Sequence, residues 1–255
     1  MNNRAKLLGD IKDDANYLGW DKIAPYRDQQ LRSGIDISYH QVLVPEIMRL
    51  LKRFKCNRIL DVGCGTGVLT EKLASESEFV CGVDISPVSI SIAKTSNSLA
   101  SNIQYHISAI EKFNLSSKSI GGFDVAVANM VLMDVLNLRK SLDSIFSLLN
   151  SGGVLIATIT HPCFWPNYWG YGNELWFNYY EEQKISHPFV THTDRVGIAE
   201  TVHVHRPLEF YLQTLCNSGF KIDYIGEPLP VGPVPKDYLN TMKRPRFLSF
   251  LCRKL

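Results

Sequence analysis

A glycine-rich segment between a buried strand and a helix constrains the fold of this chain most. Residues Ile59–Thr70 read ILDVGCGTGVLT. The apolar run before the glycines is typical of a strand covered on both faces of a parallel sheet. Alternating glycines at Gly63, Gly65 and Gly67 allow backbone dihedrals closed to other residues and let a ligand approach the main chain. The segment therefore predicts an α/β sheet with a ligand cradle at a helix N-terminus.

The spacing of the glycines separates this segment from two common phosphate-binding loops. The dinucleotide pattern G-x-G-x-x-G needs a glycine at position 68, where this chain has Val68. The loop G-x-x-x-x-G-K-S/T needs a lysine, and none follows Gly67. Asp61, just before the glycines, would repel a phosphate at close range. The turn therefore favours a cationic or zwitterionic ligand.

A second strand and a carboxylate follow at the spacing of a nucleoside site. Phe79–Asp84 reads FVCGVD, and Ile85, Ser86 and Pro87 then open a helix. Asp84 lies about 20 residues after the first glycine, where an acidic side chain can accept both ribose hydroxyls. Alone, the glycines could form a tight structural turn and Asp84 could cap a helix. Their combination on consecutive βα units favours a nucleoside site.

The two motifs together, DVGCGTG and VDIS, resemble the S-adenosylmethionine site of the class I methyltransferases. The resemblance extends over roughly the C-terminal four-fifths of the chain and includes SAIEKF at Ser108–Phe113, FDVAVAN at Phe123–Asn129 and NSGGVLIATIT at Asn150–Thr160. It implies S-adenosyl-L-methionine as the cofactor and S-adenosyl-L-homocysteine as its product, with adenine near SAIEKF and the methionine part near Asn129. The expected cofactor-binding residues are Asp61, Gly63, Cys64, Gly65, Gly67, Asp84, Ile85, Ala109, Ile110, Asn129 and Met130.

Alternating strand and helix patterns predict a doubly wound α/β sheet. The seven predicted strands are Arg58–Gly63, Phe79–Asp84, Ile103–Ile107, Phe123–Asn129, Gly153–Thr160, Lys221–Glu227 and Arg246–Arg253. The resemblance adds that this is a Rossmann-like methyltransferase sheet whose last two strands form an antiparallel hairpin at one edge. We expect an N-terminal helical lid over 1–53 and a cofactor-binding domain over 54–255, with an insertion at 161–206.

Lid and insertion are the segments expected to distinguish the acceptor. Nine aromatic residues lie between Phe164 and Tyr180, more than an ordinary connection needs. At the carboxyl edge of an α/β sheet they could form the walls of a pocket for a flat acceptor, or equally a satellite core or dimer contact. The expected substrate-binding residues are Tyr17, Trp20, Tyr26, Trp165, Tyr168, Trp169 and Trp176.

Histidines in the insertion could supply a general base. His161 follows the fifth predicted strand directly, and Pro162 restricts its backbone, so its side chain could point into the cleft. A structural histidine bonded to a nearby group is the alternative. Alternation in TVHVHR places His203 and His205 on one strand face, but no carboxylate or cysteine lies at ligand spacing, so we expect no metal.

Composition bounds the partners and compartment. The net charge is +2, and the chain has no apolar run of the roughly 20 residues that a membrane-spanning helix needs. We therefore expect no nucleic acid partner and no membrane partner, and a cytoplasmic monomer or homodimer with reduced thiols. The basic residues around Arg246–Arg253 are expected to form a solvated rim.

These observations favour a methyltransferase acting on an O or N atom of a small aromatic or heterocyclic metabolite. The insertion and the stretch ETVHVHRPLEFY are similar to bacterial small-molecule methyltransferases of specialised metabolism. The alternatives are a tRNA or protein methyltransferase and a non-catalytic subunit that binds S-adenosylmethionine. The motifs do not distinguish among acceptors.

Overall fold

The protein is a three-layer α/β molecule with a small second sheet. The computed structural model describes residues 5–9, 16–113, 122–192, 197 and 199–255, with the side chains of 16–18 excepted. Its strands are β1 Lys6–Leu7, β2 Arg58–Val62, β3 Phe79–Asp84, β4 Ile103–Ile107, β5 Phe123–Asn129, β6 Leu149–Thr160, β7 Gln183–Pro188, β8 Glu200–His205, β9 Phe220–Gly226 and β10 Phe247–Lys254. Its helices are α1 Asn16–Arg32, α2 Val44–Leu51, α3 Val68–Ala74, α4 Pro87–Ser96, α5 Leu138–Leu148, α6 Trp165–Trp169, α7 Leu208–Asn217 and α8 Lys236–Thr241.

Seven of these strands form the main sheet, in the order β4-β3-β2-β5-β6-β10-β9. Strands β2 to β6 are parallel, whereas β10 runs antiparallel to both β6 and β9. The expected fold class and the antiparallel last hairpin at one edge are therefore confirmed. Because β10 lies between β6 and β9, the expected solvated rim around it is wrong at Arg246, which is only 4% exposed.

Both faces of the sheet are covered by helices, as the continuous apolar strands require. Along β2, Ile59 packs on the face that α2 and α3 cover, and Leu60 packs on the opposite face under α5 and α7. Both residues are 0% exposed. The parallel strands all end at the same carboxyl edge of the sheet, which is where this fold class places ligands.

The N-terminal segment divides into two parts with different packing. Helix α2 buries Ile47, Leu50 and Leu51 in the core of the main sheet, so this half of the expected 1–53 lid is part of the central layers. Helix α1 instead packs on α4 and β8. Of these two helices, α1 is the one that lies outside the central layers. Within the part of the chain that the structure describes, none of the helices combines the length and apolar character of a membrane span.

The insertion after β6 forms α6 and most of a second sheet. This sheet is antiparallel, has the order β1-β7-β8, and takes its first strand from the N-terminus of the chain. Beneath it lies a satellite core that includes Trp165, Tyr171, Ile185, Tyr238 and Phe247. The insertion thus contains the satellite core that was one of the two expectations for it.

Candidate active site

A cavity of about 1140 Å³ lies beyond the carboxyl ends of the parallel strands. At one end its wall is the glycine turn between β2 and α3. At the other end its wall is formed by α6, β7 and β8 of the insertion, and α1 contributes Trp20 and Arg27 from above. The two regions singled out in the sequence therefore face one shared space.

The three glycines of the turn all have positive φ angles, and they differ in the space that a side chain would have. Gly63, Gly65 and Gly67 have φ of 64°, 54° and 82°. A Cβ at Gly63 would overlap Val131 at 2.5 Å, and one at Gly67 would overlap the Tyr105 hydroxyl, so close packing also requires these two glycines. A Cβ at Gly65 would meet no atom within 4 Å. Gly65 lines the cavity, so its bare backbone is open to a ligand.

Asp84 is held at the end of β3 by two backbone donors. The N–H of Gly65 donates to Oδ2 at 2.8 Å, and the N–H of Ser86 donates to Oδ1 at 2.8 Å. Burial raises the pKa of Asp84, and the bonds from Ser86 and Gly65 oppose that rise. A carboxylate fixed in this way at the cavity wall fits the two hydroxyls of a ribose.

Asp61 provides a second carboxylate beneath the glycine turn. It is 1% exposed, and the Thr70 hydroxyl donates to its Oδ2 at 2.6 Å. Burial raises the pKa of Asp61 to about 7, an effect that Thr70 opposes and the neighbouring charge of Asp84 increases. A cationic ligand group nearby would offset the buried negative charge, so this site accepts a cation more readily than a phosphate.

Of the expected cofactor residues, Gly67 does not line the cavity and the others do, including Ile85, Ala109 and Ile110 on the expected adenine side. At the end of β5, Oδ1 of Asn129 accepts a 2.8 Å bond from the Thr158 hydroxyl. Met130 follows with φ of 57°, in a left-handed region that non-glycine residues rarely adopt. Such strain is concentrated at functional sites, which agrees with its place at the cavity wall.

Most of the expected acceptor residues lie at the other end of the cavity. Trp165, Tyr168 and Trp169 line it from α6, and Trp20 lines it from α1. The rings of Trp165 and Trp169 lie 5.2 Å apart, and Trp169 stacks on His187 at 4.2 Å. These faces form an aromatic wall.

Three expected acceptor residues are placed differently or lie outside the description. Trp176 does not line the cavity, because its ring stacks on Tyr171 in the satellite core at 6.0 Å. Tyr26 is half-buried on α1 and does not line the cavity either. The side chain of Tyr17 lies outside the described residues. Aromatic density could not predict which rings face the cavity and which face the satellite core.

His161 has structural partners and does not line the cavity. Its Nδ1 accepts from the N–H of Cys163 at 3.2 Å, so Nε2 carries the proton and donates to Glu227 at 3.1 Å. The ring also packs on Phe164 at 4.7 Å. Burial lowers the pKa of His161, which Glu227 partly opposes. This geometry corrects the expected catalytic role, because both ring nitrogens are engaged away from the cavity.

His203 lines the cavity in its place, beside Trp169 at 5.8 Å. Burial lowers its pKa to about 3, with the charges of His205 and Arg206 adding to the effect, so the imidazole is neutral at ordinary pH. The alternation of TVHVHR put His203 on one strand face, but the sequence could not say that this face borders the cavity. His205 instead bonds the carbonyl of Tyr179 at 3.0 Å. Among the described residues no group of three or more His, Cys, Asp or Glu could hold a metal ion.

Comparison with known proteins agrees with this geometry. Residues 54–186, more than half of the 255, match the methyltransferase domain family. The chain belongs to this family. The resemblance found in DVGCGTG and VDIS is thereby confirmed, and the glycine turn and Asp84 lie inside the matched region. An open cradle at Gly65, an oriented Asp84 and a buried Asp61 fit S-adenosylmethionine, the cofactor of the family.

Individual relatives cover less of the chain. A malonyl-(acyl-carrier protein) O-methyltransferase from Bacillus cereus is 32% identical over 110 residues, which are 42% of this chain and 39% of the relative. A ubiquinone biosynthesis O-methyltransferase from Xylella fastidiosa is 30% identical over 141 residues, 54% of this chain and 53% of the relative. The chain thus spans about half or less of these relatives' length.

A solved structure matches over nearly the whole chain. The N-methyltransferase NodS from Bradyrhizobium japonicum, in complex with S-adenosyl-L-homocysteine, has a TM-score of 0.60 at 17% identity. The match covers 94% of this chain and 99% of that one. At this identity the likeness concerns the fold, and it agrees with the seven-stranded sheet described above.

Proposed function

We propose that this protein transfers a methyl group from S-adenosylmethionine to an O or N atom of a small aromatic or heterocyclic acceptor. The cofactor would lie at the glycine turn, with its ribose on Asp84 and its cationic methionine part near Asp61 and Asn129. The acceptor would lie against Trp165 and the other rings of the aromatic wall. When bound, S-adenosylmethionine supplies the activated methyl group.

The observation that carries this proposal is the shared cavity. Its volume of about 1140 Å³ exceeds the roughly 300–1,000 Å³ typical of a pocket for one small ligand. Residues of both the glycine turn and the aromatic wall line it. Methyl transfer is an in-line displacement that mainly requires two ligands aligned at about 3 Å, and a shared cavity allows both to lie side by side.

Protein side chains then align the acceptor and keep water out. Flat faces of Trp165 and Trp169 restrict a planar acceptor to a few orientations. A neutral His203 imidazole beside Trp169 accepts a hydrogen bond from an acceptor O–H or N–H and turns the lone pair of that atom toward the methyl group. With a pKa of about 3, His203 orients the acceptor and does not keep the proton, which passes from the methylated product to bulk water.

Two measurements test the proposal. Isothermal titration should show binding of S-adenosylmethionine, and the absence of binding at millimolar concentration would refute the cofactor site. Transfer of a tritiated methyl group should then label a metabolite extract in preference to total RNA or a protein lysate. Labelled RNA or protein would favour a macromolecular acceptor. Cofactor binding without label in any fraction would favour a non-catalytic binding subunit.

The same proposal places the protein in the cytoplasm as a monomer or homodimer without nucleic acid or membrane partners. A net charge of +2 supports the absence of a nucleic acid partner, since nucleic acid binding usually needs a marked basic face. Size-exclusion chromatography with light scattering, with and without added RNA, tests the oligomeric state and the absence of a complex.

A further inference from the structure

Arg246, just before β10, is a buried arginine in the cavity wall. Its side chain lines the cavity beside Trp165 and Tyr168, and the residue is only 4% exposed. The guanidinium lies over the Tyr168 ring at 4.0 Å and near the rings of Tyr238 and Phe247 at 5.2 Å each. The positive charge therefore lies at the acceptor end, among the rings of the aromatic wall and the satellite core.

The guanidinium of Arg246 is only partly paired. Nη1 donates to the Thr241 hydroxyl at 3.1 Å, whereas Nε is buried without a hydrogen-bond partner. Among the described residues, no carboxylate lies within ion-pair distance of Arg246. One edge of the guanidinium, Nε with Nη2, is thus left without a hydrogen-bond acceptor in that part of the chain.

Two other arginines near the cavity are paired with carboxylates, as buried arginines usually are. Arg206 is 1% exposed and pairs with Glu182 at 2.5 Å, and it also donates to main-chain carbonyls such as that of Val135. Arg27 lines the cavity and pairs with Asp36 at 2.5 Å. Buried charges require such partners because they lose their hydration. Ring faces give Arg246 only part of that compensation.

A ligand anion would supply the missing partner, and its shape can be inferred from the free edge. The Nε–H and Nη2–H bonds of a guanidinium are parallel and match the two oxygens of a carboxylate. A carboxylate joined to a flat ring would place the ring against Trp165 and Tyr168 while its oxygens meet Arg246. An uncharged acceptor would leave the buried charge uncompensated.

We propose that the acceptor carries a carboxylate and that Arg246 binds it. This inference rests on the proposed function, because it describes the second ligand of the same cavity. It narrows the acceptor from any small aromatic or heterocyclic molecule to an aromatic or heterocyclic acid. Arg246 acts here as a specificity residue that anchors one end of the acceptor.

The test uses matched probes that differ in charge. Isothermal titration of the full chain, saturated with S-adenosyl-L-homocysteine, compares indoleacetate with indoleacetamide and benzoate with benzamide. We expect each acid to bind at least about tenfold more tightly than its amide. Arg246→Met should abolish this preference, whereas Arg253→Met, which removes the half-buried arginine paired with Asp223 on β9, should leave it unchanged.

Outcomes separate this inference from the function on which it rests. Equal binding of acids and amides by the wild-type chain overturns the inference, and this comparison does not depend on whether Arg246→Met folds. An unchanged preference in a folded Arg246→Met variant overturns it as well. Tighter binding of phenyl phosphate than of benzoate, lost in Arg246→Met, overturns the carboxylate assignment. Failure of S-adenosyl-L-homocysteine itself to bind refutes the cofactor site instead.

Discussion

Gly65 and Gly152 both have a positive φ angle but lie in very different surroundings. Their φ angles are 54° and 74°, and a Cβ at either would meet no atom within 4 Å. Gly65 faces the cavity, whereas Gly152 is exposed at the start of β6. Substitutions at these two glycines should therefore strain the backbone alike, and only the one at Gly65 should affect ligand contact.

Gly65→Ala should reduce cofactor affinity at least about tenfold, because a methyl group would occupy the space through which the ligand approaches the main chain. Gly152→Ala should carry the same strain, about 1 kcal/mol of unfolding free energy, without a change in affinity. Urea unfolding and isothermal titration of both variants check this. Equal affinities would mean that the cofactor does not approach Gly65.

Asp61 predicts a pH dependence for cofactor binding. Its pKa of about 7 is raised by burial, and binding of a cation favours the ionised form. Affinity for S-adenosylmethionine should therefore hold above pH 7 and fall by up to about tenfold per pH unit below it, because a proton must leave before the cation binds.

Asp61→Asn tests this directly. The variant should bind more weakly and lose most of the dependence, as measured by isothermal titration between pH 5 and 8. Glu111→Gln, which removes another carboxylate lining the cavity, should keep the wild-type pH profile. A profile that is the same in wild type and Asp61→Asn would assign the titration to another group.

His161→Ala should affect stability and spare turnover. The substitution removes the bonds to Glu227 and Cys163 and the contact with Phe164, which should lower the free energy of unfolding by about 1–3 kcal/mol. The kcat of the folded fraction should stay within about threefold of wild type. A loss of a hundredfold or more without loss of stability would restore His161 as a catalytic group.

Arg246 and His161 mark the limit of sequence reasoning at the residue scale. The glycines, Asp61 and Asp84 could be placed because local spacing fixes a turn between a strand and a helix. The position of the Arg246 side chain in the cavity wall depends on β10 lying between β6 and β9. The charge pattern of the sequence does not encode this long-range pairing. The direction of His161 depends in the same way on Glu227, far along the chain.

At the scale of elements, α1 is fastened to the cofactor side of the molecule. Oδ1 of Asp21 accepts from the Ser86 hydroxyl at 2.5 Å and from the N–H of Val88 at 3.3 Å, at the N-terminus of α4. Arg32 pairs with Glu71 of α3 at 2.6 Å. These bonds hold α1 against the two helices that flank the cofactor end of the cavity.

Asp21→Ala should loosen the attachment of α1 to α4. Hydrogen bonds to a charged group contribute about 1.5–3 kcal/mol, so dissociation of S-adenosyl-L-homocysteine should accelerate by about tenfold or more. Lys22→Ala, at an exposed position on the same helix, should leave the rate nearly unchanged. Stopped-flow displacement measures both rates. Equal rates in the two variants would mean that α1 does not control release.

The elements of the main sheet could be predicted, and those of the second sheet could not. Apolar strands alternating with amphipathic helices repeat locally, so periodicity was enough for β2 to β6. Strand β1 has two residues, Lys6–Leu7, and pairs with Ser186 and Ile185 across most of the chain. No local pattern marks such a strand, because its conformation comes from its partner.

For the whole molecule, cofactor binding should appear as thermal stabilisation. At about 100 times its Kd, S-adenosyl-L-homocysteine should add roughly 2.7 kcal/mol of unfolding free energy. A chain of this size gains about 2–4 °C in Tm per kcal/mol, so Tm should rise by roughly 5–10 °C. Differential scanning calorimetry checks this, with adenine alone as the control ligand. If adenine raised Tm as much as S-adenosyl-L-homocysteine does, Asp61 and Asn129 would have no role in binding the methionine part of the cofactor.

The contact between Gly19 and β8 has a consequence for redesign. A Cβ at Gly19 would overlap the carbonyl of Glu200, and nearby Trp20 packs edge-on against Phe189 at 5.5 Å. Helix α1 and the insertion are therefore packed together closely enough that one cannot shift without the other. Replacing the insertion to change the acceptor preference would therefore also change the dissociation rate of S-adenosyl-L-homocysteine. The two properties have to be engineered together.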